Sequence, residues 1–311
     1  MIDKKTKIVV LMGGPSTEAE VSRNTGSAIT DALSSLGYSV TPMEYDPLNV
    51  IENLKEAGAE VVFIALHGKY GEDGLIQSVL ELARIPYTGS GVTSSAITMD
   101  KIMSSHLFKQ AGMPMAQSKP YYLQKGEKFV KEDILRNFSF PVVLKPACEG
   151  STIGIEIVRK EEDLNDAIHR VFQVESRILA EAYLDGEEFT VAVLDGKALP
   201  VIQINPHSGQ YDYHSKYTKG ATDYIVPAPI SNELANEMSR IAEEGYNICE
   251  CKGAVRFDFK TNKEGRPFVL EANSIPGMTS TSLVPKAAAA AGISFPELCE
   301  KILMEASLDK V

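Results

Sequence analysis

Residues 254–280, AVRFDFKTNKEGRPFVLEANSIPGMTS, hold the densest set of side chains capable of chemistry. Alternation over 255–259 puts Phe257 and Phe259 on one face of a strand and Arg256, Asp258 and Lys260 on the other. A turn rich in Asn, Gly and Pro covers 261–267, and a second strand runs over 268–273. Period two brings Glu271 and Asn273 to one face, with Val269 and Leu270 sharing the neighbouring packing roles. If the strands pair as a hairpin, Asp258 comes near Glu271 and Asn273. Three oxygen donors without sulfur or imidazole suit Mg²⁺ completed by water and phosphate oxygens. Arg256 can neutralise charge that develops beside it. A solvated sheet face with an Arg256–Asp258 ion pair accounts for the hairpin alone equally well. The following run favours the reactive reading. Asn273 to Gly277 turns sharply, and Ser280-Thr281-Ser282 opens a helix whose free N–H groups can bind an anion.

Four other stretches carry candidate groups. Pro146 to Gly154 is a glycine-rich loop between two strands, so it lacks the strand-loop-helix context and the spacing of a Walker loop. Its N–H groups with Ser151 and Thr152 can still cover phosphates, and Lys145 can supply charge. Glu18 sits in the first turn of a helix, where complementing the helix dipole is explanation enough. His67 follows a buried strand and is as readily structural as functional. Glu72 and Asp73 read as loop solvation. Lys101 lies at the start of a helix and reads alone as a solvated lysine. Having two polar loops, 16–20 and 67–74, at strand ends of one sheet raises the odds of a pocket for an amine or a carboxylate.

These groups need elements to hold them. The strand at 8–12, the helix ending at Leu36, the strand at 38–43, the helix at 50–57 and the strand at 61–66 alternate as β-α-β-α-β. That pattern gives a parallel sheet with helices on both faces and ligands at the strand ends. Thr17-x-x-Glu20 reads as a capping box for the first helix. A further strand and residues 89–91 lead to a helix at 100–110. Strands at 140–145, 155–158 and 178–183, with a helix at 164–172, follow. Asp185-Gly186 and Asp195-Gly196 read as hairpin-type turns. Residues 205–229 form a long polar stretch, expected to be a lid, with Lys216 and Tyr217 at its middle. Ser231, Ser282 and Ser294-x-x-Glu297 cap the last three helices.

Composition narrows the classes. A chain of 311 residues is typical of two or three domains, with boundaries expected near Thr98 and Leu184. Lys and Arg total 31 against 42 Asp and Glu, a formal charge of −11. That balance argues against a broad nucleic-acid footprint or an acidic membrane surface. Apolar runs of about 5–8 residues fall short of the ~20 a spanning helix needs. Neither they nor the start, MIDKKTK, resembles a signal peptide. Cys148, Cys249, Cys251 and Cys299 show no zinc or redox spacing and are expected to be free thiols in a reducing cytoplasm.

Taken in order, the motifs resemble the D-alanine–D-alanine ligase family of the ATP-grasp superfamily. They are Gly13-Gly14-x-Ser16-x-Glu18-x-Glu20-Val21-Ser22, His67-Gly68-x-x-Gly71-Glu72-Asp73-Gly74 and Tyr87-Thr88-Gly89-Ser90-Gly91. Asp100-Lys101, Lys145-Pro146-x-x-x-Gly150-Ser151, Glu181 to Glu188 and Lys216-Tyr217 continue the series. Arg256-x-Asp258, Glu271-x-Asn273 and Pro276 to Ser280 close it. The likeness covers essentially the whole chain, and the motifs are specific in combination.

The resemblance implies an ATP-grasp fold, α/β with α+β character in its ATP-binding part, after an N-terminal parallel-sheet domain. Its parts would be 1–98 for substrate, 99–184 with the phosphate loop, and 185–311 with the lid and metal hairpin. It implies ATP-dependent ligation of two D-alanine molecules through an acyl phosphate, for peptidoglycan precursors. Lys101 and Lys145 would contact phosphates, with Lys216 also at the nucleotide. Glu181 and the Leu184 backbone would meet adenine, and Glu188 the ribose. Ser151 would close over the phosphates. Asp258, Glu271 and Asn273 would hold two Mg²⁺ (or Mn²⁺) ions. Glu18 would bind the first ammonium, with His67 nearby. Arg256 and the Gly277 N–H would stabilise the oxyanion. Ser282 and the Leu283 N–H would take the second carboxylate, and Tyr217 would join a Ser151–Glu18 set.

Departures from the family pattern lie at Ser274, Cys148, Thr152 and Thr281, and leave these roles in place. A cytoplasmic homodimer with no nucleic-acid or membrane partner is expected. A ligase using D-lactate or D-serine second, or a non-catalytic ATP-binding regulator, are the alternatives. Lys216-Tyr217 resembles the dipeptide-forming subgroup, which implies an amine nucleophile and not a hydroxyl.

Overall fold

The computed structural model describes residues 2–209, 211, 215, 218 and 220–308. Strands β1 (Lys7–Met12), β2 (Ser39–Glu44) and β3 (Val61–Ile64) form a parallel sheet in the order β2-β1-β3. β1 is buried over 8–11, which is why it reads as a continuous apolar run. Helix α1 (Ala19–Ser35) buries Ser22, Thr25, Gly26, Ile29, Ala32 and Leu33, one stripe at helical spacing. Gly26 permits the close approach, because a Cβ there would lie 2.5 Å from Met12. Helices α2 (Val50–Ala57), α3 (Leu75–Ala83), α4 (Val92–Met99) and α5 (Lys101–Gln110) follow. The strand expected before 89–91 reduces to one parallel bridge, Val62 to Tyr87, since the segment after Pro86 is too short to extend it.

β4 (Ser118–Tyr122), β5 (Val142–Pro146), β6 (Glu156–Val158) and β7 (Arg177–Ala182) form an antiparallel sheet ordered β4-β7-β5-β6. Helices α6 (Glu127–Asn137) and α7 (Leu164–Val174) cover it. Leu164, Ala167, Ile168, Val171 and Phe172 are the buried stripe of α7. This sheet has its own core, drawn from residues 121–180.

β8 (Glu188–Leu194), β9 (Lys197–Ala198), β10 (Ile202–Pro206), β11 (Thr222–Ile225), β12 (Ala254–Thr261) and β13 (Pro267–Asn273) build the remaining sheet. Its order is β11-β10-β8-β12-β13, with β9 on β8. Helix α8 (Asn232–Ile248), capped by Ser231, packs on it. Helices α9 (Leu283–Ala290) and α10 (Phe295–Met304) return the chain to the first sheet. One core joins Ile8, Val10 and Phe63 to Ala192, Met278, Val284 and Leu298, so chain start and end share it.

The structure corrects several expectations. Thr17-x-x-Glu20 forms no capping box: α1 starts at Ala19 and has no side-chain cap. Ser16 Oγ receives the Glu18 N–H instead and donates to the His67 carbonyl. The stretch 205–229 is not one loop. Its ends are the antiparallel pair β10–β11, with Pro206 opposite Thr222. Ser282 stands at the N-cap of α9 without a capping bond, because its Oγ receives the Thr279 N–H at 3.1 Å. The Ser294–Glu297 capping box is formed. Residues 75–83, 92–99 and 127–137, to which the sequence reading assigns no element, are helical.

Candidate active site

Two cavities adjoin. One, of about 430 Å³, is lined by Glu18, His67, Ser151, Arg256, Asn273 and Ser282 among others. The other, of about 540 Å³, is lined by Lys145, Glu181, Leu184, Glu188, Asp258 and Lys260 among others. Lys101, Tyr211 and Glu271 line both.

The β12–β13 hairpin forms one wall. Phe257 and Phe259 are fully buried and anchor it, as expected from the alternation. Arg256 lies opposite Asn273 and Asp258 opposite Glu271, so all four project from one face. The register shifts between Asp258 and Phe259, because Phe259 pairs with Val269 and not with Leu270. Leu270 is the extra residue of a β-bulge. A bulge lets two successive residues face the same side, and Leu270 and Glu271 both line the 540 Å³ cavity.

Ion pairs hold the carboxylates of this wall. Arg256 grips Asp258 with Nε and Nη2, each 2.8 Å from an oxygen. The ion pair of the simpler reading is therefore present within the larger site. Thr190 Oγ1 donates to Asp258 at 2.7 Å. Burial disfavours the guanidinium charge, but Asp258 outweighs it and holds Arg256 above its ordinary value. Lys101 Nζ lies 3.2 Å from Glu271 and donates to the Glu149 carbonyl at 2.7 Å. There too burial opposes the charge, and Glu271 reverses the balance, raising the lysine. Asn273 Oδ1 accepts the Ile275 N–H at 3.1 Å and shapes the turn leading to Gly277.

The glycine-rich loop joins β5 to β6, two antiparallel strands. Ser151 and Thr152 both have positive φ, 49° and 64°. Left-handed backbone costs a non-glycine residue roughly 1–2 kcal/mol, and such strain concentrates at ligand clamps. Ser151 Oγ donates a very short bond to Glu18, linking the loop to the start of α1. Gly68 and Gly150 make room for that carboxylate. A Cβ at Gly68, whose φ is +70°, would lie 2.7 Å from Glu18 Oε2, and one at Gly150 3.2 Å.

His67 is buried with both ring nitrogens engaged. Nδ1 lies 3.1 Å from the Ile275 carbonyl, which only accepts, so Nδ1 carries a proton. Nε2 lies 2.9 Å from Thr25 Oγ1. Its place is therefore in the wall, tying α1 to the turn after β13. Glu72 is not loop solvation. It is 8% exposed, 3.5 Å from His67, and burial raises its carboxyl above the ordinary range. A raised folded-state value gives stability that is complete below the unfolded value and lost as pH rises. Glu72→Gln should therefore raise Tm, and by more at pH 8 than at pH 4.5. Thermal denaturation at the two pH values checks this; an equal shift at both would contradict it.

In the second cavity Lys145 is ion-paired with Glu181, and Lys260 Nζ lies 2.6 Å from Glu188. The Arg159 and Lys260 cations lie 5.7 and 5.9 Å from the centre of the Tyr183 ring. In the first cavity Gly277, Ser282 and Leu283 gather at the start of α9. A Cβ on Gly277 would meet Ser282 Oγ at 3.1 Å.

Each site residue named from the sequence lines one of the two cavities, except Lys216 and Tyr217, which lie outside the described residues. Tyr211 is an aromatic residue of both cavities that no motif of the sequence marks. Its carbonyl accepts from Thr152 Oγ1 at 3.2 Å, and its hydroxyl lies 3.1 Å from that of Tyr224. The several tyrosines of this stretch gave no signal that singled it out.

Comparison with known proteins follows the same lines. The model of the D-ala D-ala ligase C-terminus matches residues 107–304, and that of the N-terminus residues 47–90. A D-alanine–D-alanine ligase of Syntrophotalea carbinolica is 46% identical over 307 residues, covering 99% of this chain and 98% of that one. The crystal structure of the Bacillus anthracis D-alanine–D-alanine ligase complexed with ATP superposes with a TM-score of 0.84. It is 34% identical and covers 96% of this chain and 97% of that one. A D-Ala:D-Ser ligase from Enterococcus faecalis is 28% identical with a TM-score of 0.82, covering 96% and 99%.

Proposed function

The chain belongs to the D-alanine–D-alanine ligase family and is an ATP-dependent ligase of the ATP-grasp fold; from that premise we propose how its residues join two D-alanine molecules into D-alanyl-D-alanine. The observation that carries the proposal is the shared wall of the two cavities, Lys101, Glu271 and Tyr211. A phosphoryl group passing from a nucleotide in one cavity to a carboxylate in the other must cross there.

The 540 Å³ cavity is assigned to ATP, with Glu181, Leu184 and Glu188 toward the nucleoside. Lys101 and Lys145 take its phosphates, and the Ser151–Thr152 turn closes over them. The 430 Å³ cavity is assigned to the two amino acids. Glu18 meets the first ammonium. The carboxylate oxygen of that first D-alanine attacks the γ-phosphorus of ATP, ADP leaves, and D-alanyl phosphate forms. The amine of the second D-alanine, held by its carboxylate at Ser282 and the Leu283 N–H, attacks the acyl carbon. Arg256 and the Gly277 N–H stabilise the tetrahedral oxyanion. The attacking nitrogen gives up its proton to the phosphate, the bond between the acyl carbon and that phosphate breaks, and the dipeptide remains.

The donor set fits Mg²⁺ or Mn²⁺. Asp258, Glu271 and Asn273 present oxygens on one face. Among the described residues no three acidic, histidine or cysteine side chains converge on one point. Such a set suits a cation completed by nucleotide phosphates and water. Mg²⁺ bound there would neutralise phosphate charge during transfer. The division into 1–98, 99–184 and 185–311 is part of the proposal, as are a homodimer and a cytoplasmic location. Among the described residues no helix is long and apolar enough to cross a membrane.

ADP release with ATP and Mg²⁺ tests the reading, with D-alanine set against L-alanine, D-serine and D-lactate and products identified by mass. D-alanyl-D-alanine as product supports it; preferred D-lactate or D-serine incorporation overturns the second-substrate assignment. Glu18→Gln should raise KM for the first D-alanine roughly 10–100-fold, the worth of one hydrogen bond to a charge. Kinetics at saturating ATP check this, and an unchanged KM would remove Glu18 from the ammonium.

A further inference from the structure

We infer that Arg177 is a positioning residue for phosphoryl transfer, fixing the start of the helix that carries Lys101 against the base of the glycine-rich loop. The inference rests on the nucleotide site proposed above. Arg177 opens β7 and lines neither cavity. Its Nη1 lies 2.7 Å from Asp100 Oδ2. Its Nη2 lies 2.9 Å from Cys148 Sγ and 3.3 Å from Glu175 Oε1. The other Glu175 oxygen accepts the Cys148 N–H at 2.7 Å.

The Asp100 carboxylate is divided between two tasks. Oδ1 accepts the Ile102 and Met103 N–H groups at 3.0 and 3.1 Å, capping α5. Oδ2 faces Arg177. The backbones are joined as well. Ala147 N donates to the Arg177 carbonyl at 3.0 Å, and Lys101 N donates to the Ala147 carbonyl at 2.8 Å. Strand β7, the loop base and the first residue of α5 are thus stacked, and one guanidinium braces all three.

What this brace aims is Lys101. The ammonium lies between the Glu149 carbonyl of the loop and Glu271 of the hairpin. Both contacts depend on where α5 starts and where the loop begins. A planar guanidinium can hold a carboxylate, a thiol and a second carboxylate in different directions; an ammonium on a flexible stem holds such a corner less rigidly. Asp100, hydrogen-bonded to Arg177, is the leading reason the guanidinium stays above its ordinary value, so the brace is charged at every working pH. Without Arg177 the Asp100 cap on α5 survives, and the loop base is left with only its backbone bond to Lys101. A purely structural ion pair would lower Tm and weaken both substrates alike.

The experiment measures ATP–Mg²⁺ affinity by calorimetry, kcat, both KM values and Tm. Wild type, Arg177→Ala, Arg177→Lys, Lys101→Met and the Arg177→Ala/Lys101→Met double variant are compared. Arg177→Ala should weaken ATP and lower kcat, each by about 10-fold, because misplacement of this kind costs up to ~100-fold. The KM for the first D-alanine should stay within about twofold, and Arg177→Lys should recover part of the loss. In the Lys101→Met background the Arg177→Ala change should cost ATP affinity less than about twofold, since its effect runs through Lys101. Unchanged ATP affinity in Arg177→Ala, an equal loss in both backgrounds, or parallel losses for ATP and D-alanine would each overturn the inference. If Arg177→Ala fails to fold, Arg177→Lys carries the comparison. A wild-type protein that binds no ATP would instead overturn the nucleotide-site reading, a separate result.

Discussion

Glu271→Gln is expected to lower kcat for ADP release by about 10³-fold, the upper range for removing one preorganised electrostatic contact to a transition state. Glu271 stands opposite Asp258 and lines both cavities. The amide keeps the shape of the side chain and removes its charge. It therefore weakens the proposed hold on a divalent cation while sparing the sheet. It also leaves Lys101 without its carboxylate partner, 3.2 Å away. Two readouts separate these effects. Mn²⁺ affinity in the presence of ATP should fall, and raising the Mg²⁺ concentration should restore part of the rate. A kcat within about fivefold of wild type would count against Glu271 as a metal ligand.

Arg256→Lys is the second large effect, expected at about 10²-fold in kcat, the usual cost of losing one well-placed oxyanion donor. Charge is conserved, so the loss isolates geometry. The guanidinium holds both Asp258 oxygens at 2.8 Å, and an ammonium cannot reproduce that fork. The side chain is 15% exposed, so Arg256→Ala would leave Asp258 without its cationic partner and would confound stability with catalysis. The lysine variant should keep Tm within a few degrees and leave both KM values little changed. A normal kcat would place the oxyanion elsewhere, at the Gly277 N–H alone.

The sequence shows the hairpin, the glycine-rich loop and the first parallel sheet for one physical reason. Each is local, and its apolar alternation or turn chemistry lies within a few residues. Phe257, Phe259 and Asp258 needed nothing beyond period two. Helix α6 was hidden because its apolar stripe is thin, with Val130 and Ile134 as its buried residues. Glu72 was misread because an acidic residue in a glycine-rich loop is usually solvated, and its burial is decided by packing around His67. Arg177 carries no motif at all. Its partners come from positions 100, 148 and 175, and that convergence exists only once β5, β7 and α5 are assembled. Lys101 is assigned by resemblance and not by pattern, since a lysine at a helix start is ordinarily a surface group, whereas Lys145 is marked by the glycine-rich loop that follows it.

The bulge at Leu270 bears on how this hairpin can vary in length over evolutionary time. Residues 267–269 alternate in step with the buried face, and 271–273 alternate in step with the cavity. Removing Leu270 would leave Val269 inward and Glu271 outward, a regular ladder with its acidic pair intact. The core would not register the deletion, and neither would the facing Asp258. What would change is the apolar floor beside the carboxylates and the local twist that a bulge imposes. The hairpin is in this sense a regular ladder carrying one inserted residue. A length change at that position can reshape the cavity face while the buried face stays as it is.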